Sequence, residues 1–272
     1  MSLTTSQITM KYGEKLILDQ LNIKIPEGKI TVFLGSNGCG KSTLLRSMAR
    51  LLNPEAGTIV LDGKNIHQMS TKKLAKQLAI LPQSPTAPSG LTVLELVKQG
   101  RYCYQSFLRQ WSKVDEEKVI QALQETHMEE YKDVPIDSLS GGQKQRAWIA
   151  MTLAQDTNTI LLDEPTTYLD VTHQIEILDL LFELNEKEDR TIIMVLHDIN
   201  LACRYAHHIV ALKDKKVFVE GKPEDVISPE MIQQVFDLKC KVVFDPIFFT
   251  PMCIPTGKGR RIERKELNHV IV

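Results

Sequence analysis

Three features predict an α/β chain in which a mostly parallel sheet is preceded by an antiparallel start and interrupted by a helical insertion. Lys29–Leu34 is a continuous β-rich run that enters a glycine cluster and then a helical stripe, Leu44/Leu45/Met48/Leu51/Leu52, so strand, loop and helix follow one another. The same pattern resumes after Thr159. Ahead of Lys29, short alternating apolar runs broken by turn residues read as antiparallel strands.

Taken in order, Leu16 and Leu18, then Leu21, Ile23 and Ile25, flank a polar pair, Asp19-Gln20, which reads as a turn, and Pro26-Glu27-Gly28 closes the segment. Thr58–Leu61 with the turn Asp62-Gly63, and Leu78–Leu81 before Pro82, add two short strands. From Ser84 to about Ala154 the period becomes helical, at Val93/Leu94/Val97, Val119/Ile120/Leu123 and Trp148/Met151/Leu153. Strands then return at Thr159–Leu162, Thr191–Leu196, Ile209–Leu212 and Lys216–Val219, with helices across Ile175/Leu178/Leu181/Leu184 and near Asn200–Tyr205. One or two helices follow Pro223. Beyond them, Val242–Pro255 is apolar and proline-rich, and Lys258–Lys265 reads as a basic, solvated tail. The expected division is one domain over 1–240, with a helical subdomain at about 84–154, and an extension over 241–272.

Composition narrows the function classes. The 272 residues carry 33 Lys+Arg against 34 Asp+Glu, a net charge of −1, and are 43% hydrophobic, which suits a globular chain and argues against nucleic-acid binding through bulk charge. No apolar run reaches the 18 residues of a membrane span, and the N-terminal segment lacks the pattern of a secretory signal. Cys39, Cys103, Cys203, Cys240 and Cys253 form no CxxC pair and read as buried or incidental thiols of a reducing compartment. No internal repeat is visible.

Gly35-Ser36-Asn37-Gly38-Cys39-Gly40-Lys41-Ser42 fits GxxxxGK[ST] between a strand and a helix, the context in which backbone N–H groups turn inward around phosphate oxygens. Lys41 would reach the β- and γ-phosphates, the Ser42 hydroxyl would ligate Mg²⁺, and Thr43 would assist nearby. The strand Thr159–Leu162 ends in Asp163-Glu164, a pair suited to holding Mg²⁺ (Asp163) and to orienting or deprotonating an attacking water (Glu164). Leu139-Ser140-Gly141-Gly142-Gln143 sets a hydroxyl and free backbone N–H groups at a helix start, a second anion site.

Gly35–Ser42, Leu139–Gln143 and Ile160–Glu164, in that order, resemble the Walker A, signature and Walker B motifs of ATP-binding cassette (ABC) ATPases, over roughly residues 3–235. The resemblance implies ATP and Mg²⁺ as ligands, Tyr12 stacked on adenine, Gln83 as the glutamine that touches Mg²⁺ and the attacking water, His197 as the histidine contacting the γ-phosphate, and Asp170 at a dimer seam. His67, His127, His173, His207, His208 and His269 have no such placement and read as structural or exposed. Ser36, Cys39 and Thr167-Tyr168 depart from the commoner family residues without removing a catalytic group. Because the family's signature segment caps the nucleotide of the opposite subunit, one copy of each motif implies a homodimer.

A cassette without membrane spans, long coiled coil or second cassette looks like an importer subunit on the cytoplasmic face of a membrane, working with polytopic permease subunits and, through them, an extracellular or periplasmic substrate-binding protein. A groove near Gln83–Val97 would seat a short permease helix. The segments Leu81-Pro82-Gln83, Ala87–Leu96, Gly100-Arg101-Tyr102, Thr166–Gln174 and His197–Leu201 resemble ferric-siderophore importer ATPases, particularly the ferric-hydroxamate group. Import of vitamin B12 or haem, and a free-standing regulatory or nucleic-acid ATPase, are the alternatives.

Overall fold

The computed structural model describes residues 2–106 and 111–259. Most of the basic tail expected at Lys258–Lys265 lies outside them. Strands β1 (Leu3–Tyr12) and β2 (Lys15–Ile25) form an antiparallel pair joined at Gly13-Glu14. The expected turn at Asp19-Gln20 is not a turn. Ile8 faces Leu21 and Met10 faces Leu18, so two residues of β2 oppose the single Thr9, and Gln20 takes φ 51 with its N–H donating to Thr9 Oγ1 at 3.3 Å. This is a β-bulge, which breaks apolar alternation in the same way as a turn. Strand β4 (Ala56–Leu61) pairs with the other edge of β1, and β5 (Lys64–Asn65) returns through Asp62-Gly63.

The second sheet contains β3 (Ile30–Leu34), β6 (Leu78–Leu81), β7 (Thr159–Leu162), β8 (Thr191–Val195), β9 (His208–Lys213) and β10 (Lys216–Gly221), in the order β10-β9-β3-β8-β7-β6. Only the β10–β9 pair is antiparallel. Every residue of β3, β7 and β8 is buried. The period of two then sends successive side chains to two cores. Val32, Leu34, Ile160, Leu162, Ile192 and Met194 enter one, with the helices, whereas Phe33, Leu161, Ile193 and Val195 enter the other, against the antiparallel sheet and helix α1 (Lys41–Met48).

Helix α2 (Thr71–Ala75) precedes β6, and α3 (Val93–Gln99), α4 (Lys113–Glu125) and α5 (Gly141–Ala154) stand between β6 and β7. On α4 the buried stripe is Val119/Ala122/Leu123, while Ile120 is exposed, so the sequence stripe was one residue off the buried face. Helix α6 (Val171–Glu188) buries Ile177, Leu178, Leu181 and Leu184, with Ile175 half-buried. Helices α7 (Ile199–Tyr205), α8 (Pro223–Val226) and α9 (Pro229–Phe236) follow, and β11 (Cys240–Phe244) and β12 (Pro251–Pro255) make a separate antiparallel pair. Cys103, Cys203 and Cys253 are buried thiols; Cys39 and Cys240 are only half-buried. Among the described residues no helix is long and apolar enough to cross a membrane.

Arg101, which the sequence grouped with a local family signal, is a buried structural cation. Its Nε donates to Asp115 Oδ1 at 2.9 Å, its guanidinium also donates to Ala154 O at 2.8 Å, and it lies 3.8 Å from the centre of the Tyr104 ring. Both partners of the ion pair are at most 2% exposed. Burial pushes the Asp115 carboxyl up, but hydrogen bonds from Ser112 and Arg101 prevail and hold it below its ordinary value. Removing the cation leaves a carboxylate buried in the first turn of α4, near the C-terminal end of α5. Arg101→Ala is therefore expected to destabilise the fold by about 3–5 kcal/mol in urea unfolding; a loss under about 1 kcal/mol contradicts this account.

Candidate functional site

The chemistry-bearing residues gather where the parallel strands end, the edge at which open α/β sheets bind ligands. Strand β3 runs into the glycine loop, β6 into Gln83, β7 into Asp163 and Glu164, and β8 into His197. The loop must be glycine-built at two points. Gly35 has φ 146, and a Cβ there would stand 2.5 Å from Leu212 O; Gly40 has φ 107, and a Cβ would stand 2.5 Å from Leu18 Cδ2. Gly40 is also the N-cap of α1 and supplies no side-chain cap, which leaves the first N–H groups of the helix to a ligand. Lys41 is 5% exposed, and its Nζ donates to Gly35 O at 2.8 Å and Ser36 O at 3.1 Å across the loop. Burial raises the Cys39 thiol, with Lys41 opposing, so the loop cysteine is a neutral thiol and not a reactive thiolate.

A cleft of about 610 Å³ opens above this loop. Tyr12, Asn37, Gly38, Gly40, Lys41, Ser42, Thr43, Gln83, Glu164 and His197 line it, joined by Lys15, Ile17, Thr167 and Tyr168. Tyr12 is half exposed at its rim. Glu164, at φ 55, is the centre of the polar network. Its Oε2 accepts from Gln83 Nε2 at 2.6 Å and from Thr167 Oγ1 at 2.9 Å, and its Oε1 lies 2.7 Å from His197 Nε2. Burial pushes the Glu164 carboxyl up, but the hydrogen bonds from His197, Thr167 and Gln83, with the His197 charge, outweigh it and hold the pKa below the ordinary range. An ionised carboxylate only accepts, so the His197 proton sits on Nε2, and one of about four lone-pair positions on Glu164 remains for a water. Thr167 is a partner the sequence reading did not find. It stands three residues past Glu164, in a segment read as a departure from the commoner family pattern and as part of the siderophore-importer resemblance, with no role given to Thr167 itself.

Asp163 is 1% exposed. Its Oδ2 pairs with Arg46 at 3.1 Å, while Oδ1 is buried without a hydrogen-bond partner. A buried carboxylate oxygen left with no donor suits a hard cation or its water ligand. Ser42 and Gln83 on the walls of the cleft, which Glu164 next to Asp163 also lines, supply further oxygens, so the residues present fit Mg²⁺.

The signature segment does not join this cleft. Ser140 caps α5: its Oγ accepts from Gln143 N, and Gln143 Oε1 accepts from Ser140 N. Gly142 lies against His173, where a Cβ would come within 2.4 Å of the ring, and Gly141 faces Leu169. Asp170 in turn caps α6, with Oδ1 accepting from His173 N and lying 2.7 Å from His173 Nδ1. His173, read from sequence as merely structural or exposed, thus links the segments around Ser140 and Asp170. His207 is structural, accepting from Ile30 N and stacking on Phe182.

The hydrogen-bond set on Glu164 carries a titration prediction. Its folded pKa is depressed, so the carboxylate is ionised above its ordinary value of 4.5 and stays so as the pH falls past it. A carboxyl NMR titration of the full chain should place the Glu164 midpoint below 4.5, moving up in His197→Ala; a midpoint above 4.5 in the unsubstituted chain contradicts the network.

The comparisons with known proteins agree with this geometry. The family described as "ABC transporter" matches residues 18–167. A probable siderophore transport system ATP-binding protein, YusV of Bacillus subtilis (strain 168), is 64% identical over 96% of this chain and 95% of the relative. The petrobactin import ATP-binding protein FpuD of Bacillus anthracis is 62% identical over 99% of this chain and 98% of the relative. Among solved structures, the dimeric cassette MJ0796, a bacterial ABC transporter cassette, superposes with a TM-score of 0.71 at 31% identity, covering 81% of this chain and 98% of that one. A glycine loop at a helix N-terminus, an ionised glutamate at a strand tip and relatives matched along nearly their whole length place this chain in the ABC transporter family, as an ATP-binding, ATP-hydrolysing cassette.

Proposed function

We propose that this cassette energises import of a ferric siderophore, with ferric hydroxamate as the cargo class, by hydrolysing ATP at the cytoplasmic face of a membrane-embedded permease. The observation that carries the chemistry is the Glu164 carboxylate, held ionised by three donors at the end of β7. The siderophore reading draws on the family segments around Gln83, Thr166–Gln174 and His197, and on the transport roles named for YusV and FpuD.

In this reading the loop from Gly35 to Thr43 and the N-terminus of α1 hold the phosphates, Lys41 neutralises the β- and γ-oxygens, and Tyr12 stacks on the adenine. Ser42, Asp163 and Gln83 would hold Mg²⁺, which when bound supplies neutralisation of charge on the phosphate oxygens. A water attacks the γ-phosphorus and passes its proton to Glu164 as the bond to the β–γ bridging oxygen breaks, releasing ADP and phosphate. His197 Nε2–H and the Gln83 amide keep Glu164 oriented, and His197 also faces the γ-phosphate. Ser140, Gly141, Gly142 and Gln143 act on a second copy's nucleotide, a reading supported by their absence from the lining of their own chain's cleft; Asp170 then lies at the seam. The helices between Val93 and Ala154 transmit closure of that dimer to the permease, within a single cassette over 1–240 followed by the extension 241–272.

Uptake of iron-55 bound to a panel of hydroxamate and catecholate siderophores tests the whole reading in cells whose only copy is either the unsubstituted chain or Glu164→Gln. Glu164→Gln should bind ATP normally, lose more than ~100-fold of its turnover, a loss typical of an essential general base, and abolish hydroxamate uptake. Unaffected iron uptake removes the siderophore role, and turnover at the unsubstituted rate removes the base.

Ser140→Arg tests the shared site. It should leave ATP affinity of the isolated chain within about twofold while turnover of the assembled dimer falls at least ~tenfold, since a bulky cation at that helix start obstructs the facing nucleotide. Unchanged turnover contradicts the arrangement.

A further inference from the structure

The first two residues of α5 are positioned from outside the helix. The cap formed by Ser140 and Gln143 uses the N–H groups of those two residues and neither of the N–H groups of Gly141 and Gly142. The glycines have no side chains to pack, so their place is set by what stands against them. An added Cβ at Gly141 would meet only Leu169 Cδ2, at 3.8 Å. At Gly142 the three nearest atoms all belong to the His173 ring, with Cδ2 at 2.4 Å, Cγ at 2.9 Å and Nε2 at 3.0 Å. Gly142 is helical and has no positive φ, so what requires glycine there is the ring and not the backbone conformation.

His173 is itself held in one orientation. Asp170 Oδ1 accepts from His173 N at 2.9 Å and lies 2.7 Å from His173 Nδ1, two contacts that fix the ring from one carboxylate oxygen. The His173 N–H, and then its ring, hold the Asp170 carboxyl below its ordinary value, so the carboxylate accepts and the ring donates from Nδ1. In the same turn Gln174 Nε2 donates to Leu169 O at 2.8 Å, which steadies the residue that faces Gly141. The His173–Asp170 pair does little for the stability of the fold, because its side chains are 40% and 66% exposed and exposed pairs of this kind contribute almost nothing. Its effect is geometric: Asp170 sets the ring, and the ring sets Gly142.

We propose that His173 is a positioning residue of the shared nucleotide site: braced by Asp170, it fixes Gly142 so that the free N–H groups of Gly141 and Gly142 face the nucleotide of a second copy. The proposal rests on the dimer reading given under Proposed function. Both ends of the brace belong to that reading, Gly142 to the signature segment and Asp170 to the seam. His173 therefore acts where one copy meets the other and not at the cleft of its own chain, which it does not line. Without the ring, the glycine backbone at this helix start has to be ordered at the moment the dimer closes. Fixing the backbone of a single residue opposes association by roughly tenfold, and glycine has the most freedom to lose.

Sedimentation equilibrium of the full chain with ATP, on the Glu164→Gln background, tests this. His173→Ala should weaken the dimer at least ~tenfold, while the dilute monomer binds a fluorescent ATP analogue within about twofold of the parent, the control that the fold is intact. His173→Asn should keep the dimer within about threefold of the parent, because the Asn amide puts a donor where Nδ1 stood and an atom where Cδ2 stood. Gly142→Ala drives a Cβ into the ring and should also weaken the dimer at least ~tenfold, and the double variant Gly142→Ala with His173→Ala should lie within about threefold of the weaker single one, since both remove the same contact. An unchanged dimer constant in His173→Ala overturns the role of His173 and leaves the dimer reading in place. His173→Asn as weak as His173→Ala, single effects that multiply in the double variant, or lost analogue binding each overturn that role as well, the last by making His173 a part of the fold. A parent that stays monomeric with ATP overturns the dimer reading and the role of His173 with it.

Discussion

The site has to keep one carboxylate ionised next to a ligand that is itself densely negative. Like charges a few ångströms apart repel by about 1 kcal/mol in water and about 4 kcal/mol near a protein surface. Left to this field, Glu164 would be pushed towards its protonated form when ATP entered, and so away from the base role proposed for it. Hydrogen bonds to a charged acceptor contribute about 1.5–3 kcal/mol each, and Glu164 has three, from Gln83, Thr167 and His197. The three donors come from three segments, after β6, after β7 and after β8, so the ionised state depends on the sheet holding those strand ends in register.

That register has its own cause. The strands β3, β7 and β8 are buried on both faces, which permits only apolar and β-branched side chains and fixes their pairing, since a slip of one residue would exchange the contents of the two cores. The polar groups are consequently expelled to the strand ends. Asp163, just past β7, is nearly inaccessible, and its Arg46 partner comes from α1, the helix that the glycine loop opens. The phosphate loop and the carboxylate strand are thereby tied by an ion pair as well as by the sheet. Movement of α1 on phosphate binding would be felt at Asp163, and through its neighbour at Glu164.

Much of this was legible in the sequence, because an uninterrupted apolar run before GxxxxGK[ST] has few structural solutions. Tyr12, Lys41, Ser42, Gln83, Glu164 and His197 line a single cleft; the strand–loop–helix context pointed to Lys41, Ser42 and Glu164, and the family resemblance to Tyr12, Gln83 and His197. What escaped notice has physical reasons. The bulge at Asp19-Gln20 and a hairpin turn leave the same mark, a polar pair across which alternation breaks, and only the pairing of Thr9 separates them. Thr167 acts through a hydrogen bond made within a turn, with no periodicity to reveal it. The structural role of Arg101 left no mark in the sequence because its countercharge, Asp115, is 14 positions away and buried by a helix packing that no local pattern encodes. Val242–Pro255 was read only as an apolar, proline-rich stretch; Pro246 stands in the turn of the hairpin, and Pro251 and Pro255 stand at the two ends of β12, where a two-stranded edge tolerates them.

Under the proposed dimer, the division of polar groups within one chain accounts for a single copy being half a machine. Ser140 spends its Oγ acceptor on Gln143 and keeps its O–H donor, while Gly141 and Gly142 lie against Leu169 and His173, locked to the turn that carries Asp170. These groups are rigid and polar, yet none lines the cleft that holds Lys41 and Glu164. An anion-binding helix start is useful only where an anion reaches it. With a phosphate chain bound at Lys41 of one copy and the Ser140 helix start facing it from another, both requirements are met at once, and closure becomes conditional on nucleotide. The rigid link from Gly142 through His173 to Asp170 then ties the facing surface to the turn that begins at Glu164. In the dimer proposed above, occupancy of one site would in this way be mechanically connected to the geometry of Glu164 in the other.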